Sequence, residues 1–355
     1  MSKLFIIGDP HFRVDTIPQS ATFTEQVEKY ILSSHQDLAG IVIMGDVLHN
    51  HEKIHTSALN SALAFITMCS SYKPTYVLVG NHDAINNSIF CSDEHWMNVL
   101  KNKPNITVID KPVQLEIVNC CKVSFCPYVP DGRLVEALSR IDDWTKVDLV
   151  LAHQLLDGAK MGPIVAQGVE EWKDDYPLCI SGHIHDKQTV KQNLYYCGSS
   201  VQHAFGESGD KTCCVFDCIT KTYDEVEITG MKRKEILYVE AEDIKNIEPI
   251  LQKLKDDREY KIVVRGEKSA LQVAKLSSVM KTLKTQTNVK AVQMKEISSP
   301  TSISSATPTE QAPHQGFYEV LSDICKSKDD VVLTSFIQSL MGMGEDLSET
   351  GACVL

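Results

Sequence analysis

The sequence lacks any apolar run of membrane-spanning length, and none of its 12 cysteines forms a C-x-x-C pair. The first absence excludes a transmembrane helix, and the second argues against a structural zinc site. Because the cysteines are scattered over 355 residues, we expect reduced thiols rather than a disulfide framework. The apolar part of the N-terminal segment MSKLFIIGDPHF is too short for a signal peptide. We therefore expect an intracellular protein, cytoplasmic or nuclear, that is not secreted and does not enter a membrane.

A positive overall charge is missing as well, since the formal net charge is -12. The charge is unevenly distributed: residues 231–297 carry 15 lysines and arginines against 10 aspartates and glutamates, whereas residues 298–355 carry 2 against 8. An acidic, metal-binding catalytic domain beside a basic second domain would produce this division. Charged surface patches without a functional role would produce the same uneven distribution, so the charge alone does not distinguish the two explanations.

Apolar strands alternate with amphipathic helices over the first part of the chain. This βαβαβ order predicts an α/β (or α+β) fold class with a parallel sheet covered by helices. Shorter strands follow, and the region that ends near residue 228 contains strands only, so we predict one domain over residues 1–230. The first predicted strands lie at 3–8, 40–45 and 75–80, and the helices between them lie near 21–35 and 56–71.

The remainder of the chain is predicted to form three segments. Residues 231–297 repeat the βαβαβ order on a smaller scale, which predicts a small capping domain. Residues 298–315 are rich in serine, threonine and proline, which predicts a flexible linker. Apolar residues at helical spacing within 316–345 predict a tethered C-terminal helical segment that folds back on its own chain or binds a partner.

Five short polar motifs each follow an apolar strand of the first domain. In an open α/β sheet the carboxyl ends of the strands share one edge, so we expect these motifs to converge on one crevice. Their glycines permit a sharp turn that directs the next side chain into the site. The motifs are Gly8-Asp9-Pro10-His11, Gly45-Asp46-Val47-Leu48-His49, Gly80-Asn81-His82-Asp83, Ala152-His153-Gln154 and Ser181-Gly182-His183-Ile184-His185.

The motifs offer carboxylates, imidazoles and one amide, but no thiolate. This ligand set suits divalent metals such as manganese, iron or zinc. It holds more ligands than one ion needs, and a carboxylate that bridges two ions would account for the excess. Each motif alone has an ordinary explanation, such as a turn at Gly-Asp or a surface position for a single histidine. All five in order, each at the end of a strand, favour a two-metal phosphoesterase.

Together these motifs resemble those of the calcineurin-like metallophosphoesterases, over residues 1–230. The resemblance implies a four-layer βαβ sandwich with two divalent metal ions, manganese first and iron, zinc or magnesium as alternatives. It further implies that His82 faces the scissile phosphate and that Asp83 holds the ring of His82 by a hydrogen bond. The implied ligands of one ion are Asp9, His11, Asp46 and His185, and those of the other are Asp46, Asn81, His153 and His183, with Asp46 bridging.

Within that family, the sequences GDVLHN and GNHD disfavour the Ser/Thr protein phosphatases. His49 and the segment GSSVQHAFGE at 198–207 resemble the DNA double-strand-break-repair nucleases of the SbcD and meiotic-recombination-eleven type, which include phage and viral recombination endonuclease subunits. The predicted capping domain and C-terminal segment are similar to theirs. This resemblance implies exonuclease and endonuclease action on DNA in repair or recombination, with His49 as a further catalytic residue. It also implies a homodimer whose C-terminal segment binds an SbcC-like coiled-coil ATPase.

Two other functions stay open. The chain could be a phosphodiesterase for small or cyclic nucleotides, although the capping domain and C-terminal segment would then have no clear use. It could also be a nuclease-inactive scaffold that binds DNA or an ATPase, although a scaffold has no reason to keep seven metal ligands. His51, His55 and His203 could contact a substrate, but we expect a surface position for each.

Overall fold

The computed structural model describes residues 1–51, 53–118 and 121–297. The predicted linker at 298–315 and the predicted helical, partner-binding segment at 316–345 lie outside the described residues. Residues 1–297 form one compact unit. Within the described part of the chain, no helix combines the length and the apolarity needed to cross a bilayer.

The first 230 residues form strands and helices that alternate at first and then give way to strands. Short 3-10 helices lie at Val14–Thr16, Trp96–Leu100 and Trp144–Lys146. The strands and α-helices are β1 (Lys3–Ile7), α1 (Ile17–Ser34), β2 (Leu38–Ile43), α2 (Thr56–Tyr72), β3 (Thr75–Leu78), β4 (Ile106–Ile109), β5 (Val113–Glu116), β6 (Lys122–Cys126), α3 (Leu134–Leu138), β7 (Leu149–His153), β8 (Lys160–Met161), β9 (Ile164–Val165), β10 (Cys179–Gly182), β11 (Gln188–Lys191), β12 (Leu194–Tyr196), β13 (Thr212–Asp217) and β14 (Thr222–Glu227).

Twelve of these strands form two mixed six-stranded sheets, with the orders β14-β13-β1-β2-β3-β4 and β11-β12-β10-β7-β6-β5, and β8 and β9 form a separate antiparallel pair. The parallel sheet that the βαβαβ pattern predicts is the run β1 to β4. The first sheet is mixed because β13 pairs antiparallel with β1 and is joined by a tight turn to β14. The second sheet has a parallel centre and an antiparallel strand at each edge.

The two sheets pack face to face between outer layers. Leu4, Ile6 and Val42 of the first sheet are buried against Phe125 and Leu151 of the second. The opposite face of the first sheet is covered by α1 and α2, and the opposite face of the second sheet by α3, by the buried Trp144 of a 3-10 helix and by the buried Trp172 of a loop. The α/β sandwich therefore exposes the ends of its strands, while both faces of each sheet are covered.

Helix α1 begins four residues earlier than the pattern predicts. Pro18 lies at the start of the helix, where its fixed φ is compatible with helical geometry and its missing N–H has no partner to lose. The apolar stripe of Phe23, Val27 and Ile31 then covers the sheet, as the spacing predicts.

Residues 233–297 form a separate three-stranded parallel sheet with its own buried cluster of apolar side chains. The order of its elements follows the βαβαβ pattern of the sequence. That these residues act as a capping domain stays a prediction, since they belong to the same compact unit as residues 1–230. The elements are β15 (Arg233–Glu240), a 3-10 helix (Asp243–Lys245), α4 (Glu248–Leu251), β16 (Arg258–Gly266), α5 (Lys268–Leu276), α6 (Ser278–Thr285) and β17 (Val289–Glu296).

Truncation of Phe65 is expected to destabilise the fold strongly. Its fully buried ring lies 5.4 Å from the ring of Phe12 and 5.5 Å from that of Phe23, between α1, α2 and the first sheet. Phe65→Ala should lower the free energy of unfolding in urea by about 3–5 kcal/mol, because it leaves a cavity that rigid neighbours cannot fill. Val99→Ala, at a side chain that is 62% exposed, should change it by less than about 0.5 kcal/mol. A loss below about 1 kcal/mol for Phe65→Ala would contradict this packing.

Candidate metal and catalytic centre

The seven predicted metal ligands meet at one edge of the sandwich. Each follows or ends a strand whose carboxyl end points to this edge, three strands coming from the first sheet and two from the second. The carboxylates, the amide and His153 are buried, whereas His183 and His185 are half-buried. These ligands are Asp9 and His11 after β1, Asp46 after β2, Asn81 after β3, His153 at the end of β7, and His183 and His185 after β10.

Four of these ligands have a backbone conformation that residues other than glycine rarely adopt. The φ angles are 30° at Asp9, 43° at His11, 47° at Asp46 and 77° at His183. Such left-handed conformations cost of order 1–3 kcal/mol each and persist where the surroundings enforce them. Four of the eight non-glycine residues with positive φ in the described part of the chain lie at these strand ends, which favours a functional role for these turns.

Two glycines permit the loops to approach one another closely. A Cβ at Gly80 would lie 2.2 Å from Oδ1 of Asp46, and a Cβ at Gly182 would lie 2.6 Å from Oδ1 of Asp9. Neither distance is possible for a real side chain. These glycines therefore allow the two carboxylates to occupy the centre of the site.

One group of donors surrounds the side-chain oxygen of Asn81. This Oδ1 lies 3.1 Å from Nε2 of His153 and 2.9 Å from Nδ1 of His183. Oδ1 of Asp46 lies 3.4 Å from Nε2 of His153. The potential ligand atoms of Asp46, His153 and His183 all lie within 4.8 Å of one another, as one metal ion requires.

A second group surrounds His11. Its Nε2 lies 3.0 Å from Nε2 of His185 and 3.5 Å from Oδ2 of Asp46, and its Nδ1 lies 3.4 Å from Nδ1 of His49. The potential ligand atoms of His11, His49 and His82 also lie within 4.8 Å of one another. The two oxygens of Asp46 thus face different groups, which is the geometry expected of a bridging carboxylate.

The hydrogen bonds of His153 and His185 are compatible with the binding of two cations at the centre. Nδ1 of His153 donates to the carbonyl of Met44, and Nδ1 of His185 donates to Glu207, so Nε2 of each ring faces the centre and offers a lone pair there when the ring is neutral. Oδ1 of Asp9 is buried without a hydrogen-bond partner in the described structure. Buried acceptors that face one another need a positive charge between them, and divalent ions would supply it in place of a proton.

The pKa values express the same electrostatic balance. Burial raises the pKa of Asp9 to about 6 and lowers that of His183 to about 3. Burial would also lower the pKa of His153, but the carboxylates of Asp46 and Asp9 raise it to about 9. The cluster without an ion therefore holds a proton on His153, and a bound cation would replace that proton.

His82 lies beside the centre, but Asp83 does not hold its ring as the resemblance implies. Nδ1 of His82 donates instead to the carbonyl of His49 at 2.6 Å. Asp83 accepts hydrogen bonds from the backbone N–H groups of Val47 and Gly80 and from the indole of Trp96, because the chain places its side chain beneath the loop rather than beside the imidazole. Asp83 therefore joins the turn after β2 to the turn after β3.

The three histidines for which a substrate contact was left open lie in different environments. His51 stacks on His82 with 4.6 Å between ring centroids, whereas His55 is exposed at the start of α2. His203 is buried, contrary to the expected surface position, and its Nε2 donates to the backbone carbonyl of Asp9 at 2.8 Å. It therefore supports the turn that carries a predicted ligand.

Two residues of the site carried no individual prediction. Glu207 accepts from Nδ1 of His185 at 3.1 Å and pairs with Lys211 at 3.3 Å. Burial would raise the pKa of Glu207, but these partners lower it to about 2, so it is ionised. Tyr128, after β6, stacks on His183 with ring centroids 5.9 Å apart. Only the resemblance of the FGE segment pointed towards Glu207, and no sequence signal pointed to Tyr128.

Comparison with known proteins finds relatives along most of the chain. Residues 2–187 match the calcineurin-like phosphoesterase family. The chain is 34% identical over 349 residues to putative phosphoesterase 078R of Invertebrate iridescent virus 3, and the alignment covers 97% of each protein. It is 46% identical over 210 residues to putative phosphoesterase 244L of Invertebrate iridescent virus 6, which covers 59% of this chain and 73% of that protein.

Similarity to solved structures is weaker. The phosphoesterase Yfce from E. coli is 12% identical with a TM-score of 0.31, and the match covers 64% of this chain and 100% of that one. A hypothetical protein from Thermus thermophilus is 11% identical with a TM-score of 0.33, and the match covers 63% of this chain and 99% of that one. The sequence matches, rather than these structures, therefore identify the relatives.

Substitution of Gly80 should weaken metal binding without unfolding the protein. The Cβ of Gly80→Ala would collide with the backbone and carboxylate of Asp46, which must then shift. We expect at least a tenfold loss in affinity for Mn²⁺ in calorimetric titration, since displaced ligands lose much of their binding energy. Gly209→Ala is the matched control, because its Cβ would meet only Arg233 at 3.8 Å. Equal affinity in both variants would argue against Asp46 as a ligand.

Removal of Glu207 should act on the same site through His185. Without the carboxylate, the ring of His185 loses the acceptor that fixes its orientation and tautomer, so Glu207→Ala should lower Mn²⁺ affinity about 10- to 100-fold. Glu207→Gln keeps an oxygen acceptor and should recover most of that loss. Glu171→Ala removes only an exposed ion pair with Lys191 and should have no effect. Wild-type affinity in Glu207→Ala would refute this positioning role.

Proposed function

The chain belongs to the calcineurin-like phosphoesterases and is a metal-dependent phosphoesterase, and from this premise we propose that it hydrolyses phosphodiesters of small nucleotides. The main support for this substrate class is an open cavity of about 640 Å³ whose wall includes His49. Its volume is in the range of small-molecule sites. A diester has a second substituent that needs such a space beside the reacting phosphate, whereas a monoester does not.

The predicted ligands form two sets, one for each of two ions. Asp9, His11 and His185 would hold one ion, Asn81, His153 and His183 the other, and Asp46 would bridge them. The bound ions supply Lewis acidity that polarises phosphoryl oxygens and activates water for attack. Burial of Asp9 and Asp46 strengthens these interactions, because water does not screen them.

His82 is the group proposed to act on the leaving oxygen. Its Nδ1 proton is committed to the carbonyl of His49, which fixes the ring and leaves Nε2 for the substrate. Burial lowers the pKa of His82, so the ring releases a proton readily when it carries two. A doubly protonated His82 would donate from Nε2 to the oxygen that departs from phosphorus, and the neutral ring would remain held by His49.

The charges near the cavity favour a small substrate over a long polyanion. Among the described residues that line the cavity, Lys53 is the one lysine or arginine. The best basic cluster of the sequence, at 232–234, is largely committed: Lys234 is buried with its Nζ bonded to the carbonyl of His203, and Arg233 pairs with Glu227. A surface that follows a phosphate backbone needs several free lysines and arginines together.

DNA is a second candidate substrate, favoured by one observation. The two features that resemble the double-strand-break-repair nucleases, His49 and the FGE segment, both contact predicted metal ligands, through Nδ1 of His11 and Nδ1 of His185. Under this alternative the protein would act as a homodimer with an SbcC-like ATPase bound by its C-terminal segment. These partners are proposals that follow from the resemblance.

Activity measurements on wild type and His82→Ala test the reaction. With Mn²⁺, wild type should hydrolyse bis-p-nitrophenyl phosphate, and His82→Ala should lower kcat by about 10²- to 10⁴-fold, because a positioned proton donor is lost. His35→Ala, a substitution outside the site, should keep wild-type kcat. Equal kcat in His82→Ala would remove His82 from the mechanism.

Substrate preference separates the candidate functions. We expect kcat/KM to be higher for dinucleoside monophosphates and cyclic nucleotides than for p-nitrophenyl phosphate or duplex DNA. Preference for DNA would favour the second candidate instead. Absence of all hydrolysis at saturating Mn²⁺ would favour the scaffold function.

A further inference from the structure

Three imidazole rings lead away from the metal centre. The ring of His82 is nearly parallel to that of His49, with centroids 5.7 Å apart, and to that of His51, with centroids 4.6 Å apart. His49 and His51 also line the cavity of about 640 Å³. The group proposed to act on the leaving oxygen is therefore in direct contact with the wall of the cavity.

The wall combines flat, apolar and amide surfaces. His51 and Ile85 offer an imidazole ring and a branched aliphatic side chain, and Ile85 is 38% exposed although it is large and apolar. Asn86 and Asn87 add two carboxamides from the same loop. The wall therefore presents a flat, partly apolar face beside two amide groups, and a planar ligand with a polar edge matches both parts.

We propose that this cavity is a nucleobase subsite, in which the base of a phosphodiester stacks on His51 and Ile85 and its polar edge meets Asn86 and Asn87. The proposal rests on the proposed function, because it names the substituent that accompanies the phosphate. A base is planar and apolar on its faces and carries donors and acceptors on its edge, so it matches each part of the wall.

Several polar groups of the cavity wall remain available to bind the polar edge of a base. Nδ1 of His51 points to the carbonyl of Ala84 at 3.4 Å, which leaves Nε2 as an acceptor. Oδ1 of Asn86 accepts from the N–H of Ser88, which leaves its NH₂ group as a donor. Lys53 also lines the cavity and makes no ion pair within the described residues, so it can meet a phosphate at the mouth of the cavity.

Inhibition of bis-p-nitrophenyl phosphate hydrolysis by two matched ligands tests the subsite. AMP and ribose 5-phosphate share the sugar and the phosphate and differ by the base. In wild type the inhibition constant of AMP should be roughly ten- to hundredfold lower than that of ribose 5-phosphate, the range expected for stacking of one base. Equal inhibition constants would overturn the proposal.

Variants locate the base within the cavity. His51→Ala and Ile85→Ala should each reduce the preference for AMP at least fivefold. His55→Ala and Ile164→Ala are the matched controls, since both residues are exposed and neither lines the cavity, and they should retain the preference. A preference that survives in both His51→Ala and Ile85→Ala would place the base elsewhere and overturn the proposal.

A binding measurement separates failure of the subsite from failure of the proposed function. Adenosine, added to the full chain with excess chelator, should give saturation-transfer signals at its base protons that His51→Ala abolishes. This readout needs neither metal nor hydrolysis, so it supports the subsite even if no phosphodiester is cleaved. Absence of these signals in wild type would overturn the subsite even if hydrolysis proceeds.

Inhibition by a longer ligand shows whether the bound base belongs to a free nucleotide or to a nucleic-acid chain. A single-stranded pentanucleotide that inhibits more than tenfold better than AMP would identify a nucleic-acid chain as the ligand. Equal inhibition by the two would identify a free nucleotide. Either result supports the subsite, and weaker inhibition by both than by ribose 5-phosphate would overturn it.

Discussion

Buried carboxylate, imidazole and amide acceptors repel one another unless a positive charge lies between them. In this protein Nε2 of His153 lies 3.1 Å from Oδ1 of Asn81 and 3.4 Å from Oδ1 of Asp46, and Oδ1 of Asp9 has no hydrogen-bond partner among the described residues. The two-sheet sandwich forces this arrangement, because the carboxyl ends of strands from both sheets meet at one edge. Affinity for divalent ions is thus a consequence of how the strands end.

Keeping such a cluster in place requires a rigid backbone. The turns that carry Asp9, His11, Asp46 and His183 have left-handed conformations, and Gly80 and Gly182 permit contacts that any side chain would block. Asp83 connects the turns after β2 and β3 through backbone N–H groups, and His203 binds the turn after β1. Strain at the ligands is therefore balanced by hydrogen bonds from residues that do not themselves face the ions.

The ring of His82 contacts both His11 of the metal centre and His49 and His51 of the cavity wall. The carbonyl of His49 fixes its ring on one side, and the ring of His51 packs against it. Under the proposed function, a single histidine would connect the chemistry at phosphorus with the recognition of the substituent.

The sequence alone determined the approximate strand ends, the polar motifs that follow them and the family. Short apolar runs that end at glycine are local signals, and the polar residues that follow them need no distant contact to be recognised. The tertiary structure determined which residues distant in the sequence contact one another. Asp83 meets Val47 across 36 positions, Glu207 meets His185 across 22, and His203 meets Asp9 across 194. Such contacts depend on the packing of two sheets, which no local pattern encodes. The orientation of Asp83 beneath its loop, the burial of His203 and the cavity beside His51 therefore emerged only from the folded chain.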